Sequence, residues 1–395
     1  MKKERRLSGS SSDERGGGSP PRGAVLQSVI NRQESASTSP FSGRPIFVVG
    51  APRSGTTLLA FMLCSHPRIR ILRESHFIPR LFQRCPQAPM SRKQAIRNVK
   101  IIFGYRTVVR HWKGERPDPA AFVDVLPDLT PRTFLSAFYA RYARQQGAER
   151  WGDKSPTYTE HMDLLADIFP DSQFIHLIRD GRDVALSMIE ALRHDRFYVD
   201  VYFAARTWKE RIRKAFASAG RLGQDRYLEL RYEQLTAHPQ AELCRMCDFL
   251  GESYHAAMAE PHLLARQFIR PAGFHAAVRQ PPSTVSSGRW RREMSESDQR
   301  LFQSAAGDLL GELGYETVNL DKMYPGERAR LTGLQTKFAL LKAGQQVLRR
   351  VGMFLPAWSA PFKIAETTKS ARSAARALKA YFANDVVRSA KSRRK

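Results

Sequence analysis

Residues 47–59, FVVGAPRSGTTLL, have the pattern of a hydrophobic strand, a glycine-bounded turn and the start of a helix. Gly50 and Gly55 have the spacing of a phosphate-binding loop, GxxxxGK followed by Ser or Thr, but Thr56 occupies the lysine position. The nearest cation is Arg53, inside the loop. Such a turn directs backbone N–H groups and the positive end of a helix dipole at an anion. The stretch therefore predicts an anion site, and the missing lysine disfavours ATP or GTP.

The side chains of this loop fit an anion whose terminal group carries less charge than a γ-phosphate. The hydroxyl groups of Ser54, Thr56 and Thr57 can donate hydrogen bonds to such a group, and Arg53 can clamp it. Together with Gly55, these residues form the predicted anion-binding set.

Strand-like and helix-like segments alternate through residues 44–320. The strand-like segments are IFVV (46–49), IRIL (69–72), QFIHLI (173–178) and RYLEL (226–230). The helix-like segments are residues 56–66, 157–170, 180–193 and 239–251, and helices dominate residues 91–146. This alternation predicts an α/β fold, a P-loop-type parallel sheet flanked by helices on both faces.

A second candidate for function is FIHLIRDGRDVALSM, residues 174–188. Arg179 ends a buried strand and Ser187 lies on the following helix, so both can reach a ligand at the carboxyl ends of the strands. Taken alone, the pair is better explained as a strand-end salt bridge and a hydroxyl on a helix face. Asp180 resembles the acidic residue that ends a Walker B strand, which leaves a magnesium-dependent P-loop kinase as an alternative.

The chain carries 64 Lys and Arg against 38 Asp and Glu, a formal net charge of +26, which suggests anionic partners without choosing among them. Half of this excess lies in a predicted basic helical extension, residues 321–395. One face of its first helix is apolar; it comprises Leu331, Leu334, Phe338, Leu341, Leu348 and Leu355. A second, weaker basic helix is predicted near residues 367–388. Packing on the main domain is the favoured interpretation, peripheral contact with an anionic membrane comes second, and nucleic acid is least favoured.

The remaining composition bears on the compartment. Residues 1–43 are rich in Ser, Gly, Pro and charged residues and are predicted to form a disordered tail. The sequence shows no signal peptide or membrane anchor, and four scattered cysteines favour a reducing compartment. We therefore expect a cytoplasmic protein that is at most peripheral to a membrane. Cys244 and Cys247 have helical spacing and are interpreted as two core-facing residues.

Taken together, the motifs resemble those of the sulfotransferases that use 3′-phosphoadenosine 5′-phosphosulfate (PAPS). The loop PRSGTT is similar to their 5′-phosphosulfate motif, and Arg179 with Ser187 is similar to their 3′-phosphate motif. Further stretches resemble the tyrosylprotein sulfotransferase branch and its bacterial relatives: HPRIRILRESHFIPRLF (66–82), GDKSPTY (152–158), RYEQLTAHP (231–239) and CDFLG (247–251). The similarity covers roughly residues 45–315. It implies metal-independent, in-line transfer of a sulfuryl group from PAPS to an acceptor hydroxyl.

The resemblance implies which residues would act on the acceptor. Glu74 corresponds to the base that removes the proton of the acceptor hydroxyl. His76 is the rival base, because other sulfotransferase branches use histidine. Lys154 and Arg53 would stabilise the transferred group. From the residues alone, Glu74 is equally compatible with a salt bridge and Lys154 with a surface loop.

The resemblance also implies how the donor would be held. Residues 53–57 would bind its 5′-phosphosulfate, and Arg179 with Ser187 would bind its 3′-phosphate, which distinguishes PAPS from plain nucleotides. Arg289 or Trp290, within SSGRWRR, would close over the nucleotide. An exposed basic turn anchored by a tryptophan explains SSGRWRR equally well. No metal is required by this scheme.

The acceptor is left open by the sequence: a protein tyrosine, a carbohydrate, a lipid or a small molecule would each supply the hydroxyl. The tyrosylprotein branch has an arginine where this chain has His76. Two alternatives from other classes are a kinase that uses magnesium and ATP, and a basic protein that binds nucleic acid or membrane and has a degenerate nucleotide site.

Overall fold

The computed structural model describes the main body of the chain, residues 44–112, 114–192, 199–272, 275–317 and 323–350. The tail predicted for residues 1–43 and the second basic helix predicted near residues 367–388 lie outside the described residues. The side chains of Leu341, Leu348 and Leu355 in the predicted apolar face also lie outside them.

Five strands form one parallel sheet. They are β1 (Ile46–Val49), β2 (Ile69–Arg73), β3 (Arg150–Lys154), β4 (Gln173–Ile178) and β5 (Tyr227–Arg231). The order across the sheet is β2-β3-β1-β4-β5, and Val48 aligns with Lys154 on one side and with Ile175 on the other. The strand order therefore reverses beside β1. Open α/β sheets bind ligands at such a reversal, outside the carboxyl ends of the strands.

Helices connect and cover the strands. Between β1 and β3 they are α1 (Thr56–Cys64), α2 (Phe77–Phe82), α3 (Arg92–Phe103), α4 (Arg106–His111), α5 (Pro119–Asp124) and α6 (Pro131–Arg144). Between β3 and β5 they are α7 (Met162–Ile168), α8 (Gly181–Leu192) and α9 (Val201–Ala219). After β5 they are α10 (Tyr232–Ala237), α11 (Pro239–Leu250), α12 (Pro261–Phe268), α13 (Trp290–Glu293), α14 (Glu296–Glu312) and α15 (Pro325–Arg350). Short 3₁₀ helices are Pro156–Glu160, Ala256–Ala259, Ala276–Arg279 and Thr284–Ser286.

Side-chain alternation along β1 places helices on both faces of the sheet. Ile46 and Val48 pack in one hydrophobic cluster with residues of α1 and α11. Phe47 points to the opposite face, where its ring contacts that of Trp151. Trp151 in turn stacks on Tyr139 of α6, with ring centroids 4.6 Å apart. The predicted α/β fold, a parallel sheet between helical layers, is confirmed.

One predicted helix, residues 157–170, is divided in the structure. The 3₁₀ helix Pro156–Glu160 comes first, and the backbone changes direction at His161 (φ −129°, ψ 22°) before α7 begins. The hydroxyl of Thr159 bonds to the backbone of Gly50, with N···Oγ1 at 2.9 Å. This contact with the loop after β1 holds the first turn away from regular helical geometry.

The two neighbouring cysteines of α11 have different surroundings. Cys247 is buried, and its Sγ lies 3.7 Å from the Sδ of Met258, as the core-facing interpretation predicts. Cys244 is only partly buried, so its predicted core position is wrong. All four cysteines are free thiols.

Helix α15 lies against the main domain through the described part of its apolar face. Leu331, Leu334 and Phe338 join the hydrophobic cluster that contains α9 and α14. Lys337 forms an ion pair with Asp200 at the start of α9, with a distance of 2.8 Å. Contact of this extension with an anionic membrane stays a prediction. Within the part of the chain that the structure describes, no helix combines the length and apolarity needed to cross a bilayer.

Candidate active site

The loop between β1 and α1 depends on its two glycines. A Cβ on Gly50 would lie 2.6 Å from the carbonyl oxygen of Leu177 in β4. Gly55 has a left-handed backbone (φ 95°), and a Cβ there would lie 2.5 Å from the ring of Tyr232. Because the neighbouring elements approach the loop so closely, only glycine fits both positions without displacement.

Gly55→Ala is expected to lower the free energy of unfolding by about 2–4 kcal/mol, because left-handed strain and a clash with Tyr232 act together. Urea denaturation measures this loss. Gly251→Ala is the matched control, since Gly251 is also left-handed (φ 71°) but an added Cβ meets nothing within 4 Å. We expect a loss of about 1 kcal/mol there. Equal losses in the two variants would contradict the argument from close contact.

The first turn of α1 has the properties of an oxyanion site. Its N-terminus has no side-chain cap, and Thr56 and Thr57 lie in this turn. The Oγ of Ser54 is fully buried and has no hydrogen-bond partner among the described residues. Uncapped N–H groups, an unpartnered hydroxyl and the helix dipole together fit the oxygens of an anionic ligand.

Arg53, Arg179 and Ser187 meet at this loop although they are far apart in the sequence. Arg53 Nε donates to Ser187 Oγ at 3.1 Å, and Arg179 Nη1 donates to the carbonyl oxygen of Arg53 at 3.2 Å. The guanidinium of Arg179 lies 4.4 Å from the centroid of the Tyr232 ring. Burial, with the adjacent charge of Arg179, lowers the pKa of Arg53. Two arginine side chains so close to the loop favour binding of an anion there.

Glu74 and Lys154 meet at the carboxyl ends of β2 and β3. Lys154 Nζ donates to Glu74 Oε1 at 2.8 Å and to Thr57 Oγ1 at 3.2 Å, so it links the carboxylate to the first turn of α1. Lys154 is 1% exposed, which excludes a surface-loop lysine. Its ammonium charge is the main cause that holds the pKa of Glu74 at about 2. A base and a cation therefore lie side by side at the edge of the anion loop.

His76, the rival base, has a different partner. Its Nδ1 lies 2.8 Å from Thr157 Oγ1. Burial lowers the pKa of His76 to about 4, so the ring is neutral near pH 7. Glu74 shares Lys154 with the loop residue Thr57. Which of Glu74 and His76 is the base stays a prediction.

His275 is a residue of the site that sequence reasoning did not find. Its Nε2 lies 4.0 Å from Glu74 Oε1, and it directly precedes the 3₁₀ helix Ala276–Arg279. Burial and, secondarily, the charge of Lys154 lower the pKa of His275 to about 4. Its stretch of sequence is irregular and carries no motif, so only the folded chain brings it to Glu74.

A family model described as "Sulfotransferase family" matches residues 45–256, more than half of the chain. The chain belongs to the sulfotransferase family. The match extends from β1 through the 3₁₀ helix Ala256–Ala259, so it contains the anion loop, Glu74, Lys154 and Arg179.

Curated relatives and a solved structure resemble parts of this chain. Protein-tyrosine sulfotransferase 2 from Gallus gallus is 29% identical over 211 residues, which are 53% of this chain and 51% of that protein. Protein-tyrosine sulfotransferase A from Caenorhabditis elegans is 28% identical over 227 residues, 57% of this chain and 53% of that protein. The chain spans about half the length of these relatives. The sulfotransferase domain of the Synechococcus PCC 7002 olefin synthase has 23% identity and a TM-score of 0.48, covering 71% of this chain and 98% of that domain.

The carboxylate of Asp180 forms an ion pair with a buried arginine, Arg182. Its Oδ1 accepts from Arg182 Nε at 3.0 Å and its Oδ2 accepts from Arg182 Nη2 at 2.7 Å. The guanidinium of Arg182 also lies 3.3 Å from the ring centroid of Trp290. A carboxylate held by this bidentate pair is poorly suited to bind magnesium. The kinase alternative, which needed Asp180 as a metal ligand, is not favoured.

Residues 286–290 are attached to the start of α8 by one carboxylate. Asp183 accepts hydrogen bonds from the backbone N–H groups of Gly288, at 2.7 Å, and Trp290, at 2.9 Å. Arg179 also donates to the carbonyl oxygen of Ser286 in this segment. Trp290 itself is buried, so it anchors the segment.

Arg289 lies beside the predicted 3′-phosphate site and is held by two carboxylates. Its guanidinium is 2.6 Å from Glu293 and 3.4 Å from Glu190 on α8, the helix that carries Ser187. It is partly exposed. Contact of Arg289 with the donor therefore stays a prediction, and it requires the side chain to exchange carboxylate partners for phosphate.

Proposed function

We propose that this chain transfers a sulfuryl group from PAPS to an acceptor hydroxyl. The observation that carries the proposal is the contact of Lys154 with both Glu74 and Thr57, at 2.8 and 3.2 Å. This contact brings a carboxylate and an ammonium group to the helix N-terminus of a loop that lacks the lysine of triphosphate-binding loops. Membership of the sulfotransferase family supports the same reaction.

The proposed donor site extends from the anion loop to α8. Residues 53–57 supply N–H groups, hydroxyls and a guanidinium for the 5′-phosphosulfate. Arg179 and Ser187, both in contact with Arg53, supply charge and a hydroxyl for the 3′-phosphate. The ring of Tyr232 lies against Gly55 and under the guanidinium of Arg179, so it lies between these two proposed anion sites.

In the proposed mechanism Glu74 accepts the proton of the acceptor hydroxyl. The acceptor oxygen forms a bond to sulfur as the bond between sulfur and the 5′-phosphate oxygen breaks, and adenosine 3′,5′-bisphosphate leaves with that electron pair. Lys154 and the loop N–H groups stabilise the charge on the sulfuryl oxygens. As Lys154 turns from Glu74 towards these oxygens, the pKa of Glu74 rises and its strength as a base increases.

The acceptor proposed here is a hydroxyl-bearing molecule, and a protein tyrosine is the first to test. The curated relatives described above carry the name protein-tyrosine sulfotransferase. Carbohydrate, lipid and small-molecule hydroxyls are the other acceptors. Transfer of labelled sulfate from PAPS to a tyrosine peptide, an oligosaccharide and a phenol, compared side by side, distinguishes them.

Calorimetric titration tests the donor. We expect adenosine 3′,5′-bisphosphate to bind in the presence of a chelator, because Arg53, Arg179 and Lys154 supply the positive charge. Binding of ATP alone, and only with magnesium, would overturn the proposal in favour of a kinase. Failure of any nucleotide to bind would instead support a basic binding protein with a degenerate site.

Arg179→Ala is expected to weaken binding of adenosine 3′,5′-bisphosphate about 10- to 100-fold, the effect of losing hydrogen bonds between charged groups. Binding of adenosine 5′-monophosphate, which lacks the 3′-phosphate, is expected to change less than about threefold. Calorimetry with both nucleotides measures the difference. Arg92→Ala is the control, because Arg92 is an exposed arginine paired with Asp124 on the surface. Equal weakening for both nucleotides would show that Arg179 acts on the loop rather than on the 3′-phosphate.

A further inference from the structure

Residues 153–159, DKSPTYT, contact both the segment that presents the proposed base and the loop that binds the anion. We propose that this segment, the brace, positions the two halves of the site through separate hydrogen bonds. Tyr158 fixes Glu74 by way of Ser75, and Thr159 fixes the anion loop by way of Gly50. The inference rests on the proposed sulfuryl transfer and identifies positioning residues for it.

On the base side, the brace holds an unusual backbone. Glu74 and His76 both have left-handed φ angles, 57° and 56°, and neither is glycine. Such backbone persists only where the surroundings hold it in place. Ser75, between them, is fully buried, and its Oγ lies 2.7 Å from the hydroxyl of Tyr158. The Glu74 N–H also donates to the carbonyl oxygen of Lys154 at 2.7 Å, so the brace fixes the base at two points.

A buried carboxylate stabilises this side of the brace. Asp153 is fully buried, its Oδ1 accepts from Ser155 Oγ at 2.7 Å, and its Oδ2 accepts from the hydroxyl of Tyr139 at 2.7 Å. The Tyr139 hydroxyl lies 3.5 Å from Ser75 Oγ. Asp153 therefore orients Tyr139 behind Ser75, and the polar groups around Ser75 are mutually satisfied inside an apolar layer.

On the loop side, one side chain makes both contacts. Thr159 Oγ1 accepts from the N–H of Gly50 at 2.9 Å and donates to the carbonyl oxygen of Gly50 at 3.1 Å. Gly50 is the first residue of the loop, and Leu177 packs against its other side. Thr159 thus fixes where the loop leaves β1, and among the described residues its hydroxyl forms no hydrogen bond with Ser75 or Glu74.

The two contacts predict effects on different quantities: loss of the first lowers kcat, and loss of the second raises the Kd for the nucleotide. Tyr158→Phe removes the hydroxyl that bonds to Ser75 and that also accepts from the Ile78 N–H at 3.4 Å, and we expect kcat for sulfate transfer to fall about 10- to 100-fold through misplacement of Glu74. The Kd for adenosine 3′,5′-bisphosphate should stay within about twofold. Thr159→Val removes only the hydroxyl at Gly50, and we expect that Kd to rise about tenfold, with a smaller fall in kcat at saturating donor because the loop N–H groups also stabilise the sulfuryl oxygens in the proposed mechanism. Calorimetry and labelled-sulfate transfer measure the two quantities, and thermal melting checks folding.

The results that would contradict the brace differ from the result that would contradict the proposed sulfuryl transfer. Wild-type protein that transfers no sulfate would contradict sulfuryl transfer, while the nucleotide Kd of the two variants would still test whether the brace acts in two parts. A wild-type kcat in Tyr158→Phe, or equal changes of kcat and Kd in both variants, would overturn the brace. Ser75→Ala replaces Tyr158→Phe should the latter fail to fold, with the same expectation. Because Ser75 Oγ and the Tyr158 hydroxyl bond to each other, the losses of activity in the double variant should be less than additive.

Discussion

Glu74→Gln is expected to lower kcat for sulfate transfer about 1,000-fold, within the range for removal of a general base. Glutamine keeps the shape of the side chain but accepts no proton from the acceptor hydroxyl. It also removes the negative charge that faces Lys154 at 2.8 Å. Single-turnover transfer from labelled PAPS at saturating donor measures the chemical step. Binding of adenosine 3′,5′-bisphosphate should be retained, since Glu74 lies outside the anion loop.

Three further variants decide what the loss at Glu74 means. Glu312→Gln is the control for carboxylate removal, because Glu312 is an exposed surface partner of Arg213. His76→Asn tests the rival base, and His275→Asn tests the histidine found only in the structure. Should Glu74→Gln transfer sulfate at the wild-type rate while either histidine variant fails to, the base would be assigned to that histidine.

The fold followed closely from local patterns in the sequence. The strands IFVV, QFIHLI and RYLEL are continuous hydrophobic or β-prone runs, and they became β1, β4 and β5 with shifts of at most one residue. The alternation with helices predicted a parallel sheet. The divided helix at residues 157–170 did not follow, because a hydrogen bond between Thr159 and Gly50, distant in sequence, decides its geometry.

The site was predictable where a residue follows a strand directly. Glu74 follows β2 and Arg179 follows β4, two strands that the sequence predicted, and parallel strands bring these positions to one edge of the sheet. Strand β3, which ends at Lys154, was not predicted, because its sequence, RWGDK, has no hydrophobic run. The ion pair itself needed the strand order, which places β3 between β2 and β1. His275 and Asp180 show where prediction of the site from the sequence failed. His275 comes from an irregular segment, and Asp180 has the position of a metal ligand but is neutralised by Arg182, two residues later.

Lys154→Met is expected to lower kcat about 100- to 1,000-fold, the effect of removing a group that stabilises charge in the transition state. It should also change the pH dependence of kcat/KM. The Lys154 ammonium is the main cause of the low pKa of Glu74, and burial acts in the opposite direction. Without Lys154 the pKa of Glu74 rises above about 2 towards or beyond the ordinary carboxyl value.

The sign of the pH effect follows from the form of Glu74 that accepts the proton. In the wild type Glu74 stays ionised above pH 5, and His76 and His275, each with a pKa of about 4, stay neutral there, so these three groups leave kcat/KM level from pH 5 to 7. Burial raises the pKa of Asp153 to about 7, so each variant is compared with the wild-type profile over this range. In Lys154→Met, kcat/KM should fall as pH decreases through the raised pKa of Glu74. Lys154→Arg keeps the charge and should keep the level profile. Because loss of Lys154 also raises the pKa of His275, the double variant Lys154→Met with His275→Asn must retain the fall of kcat/KM at low pH. If the fall disappears in the double variant, it is caused by the histidine. Parallel pH profiles for Lys154→Met and the wild type would contradict control of the base by Lys154.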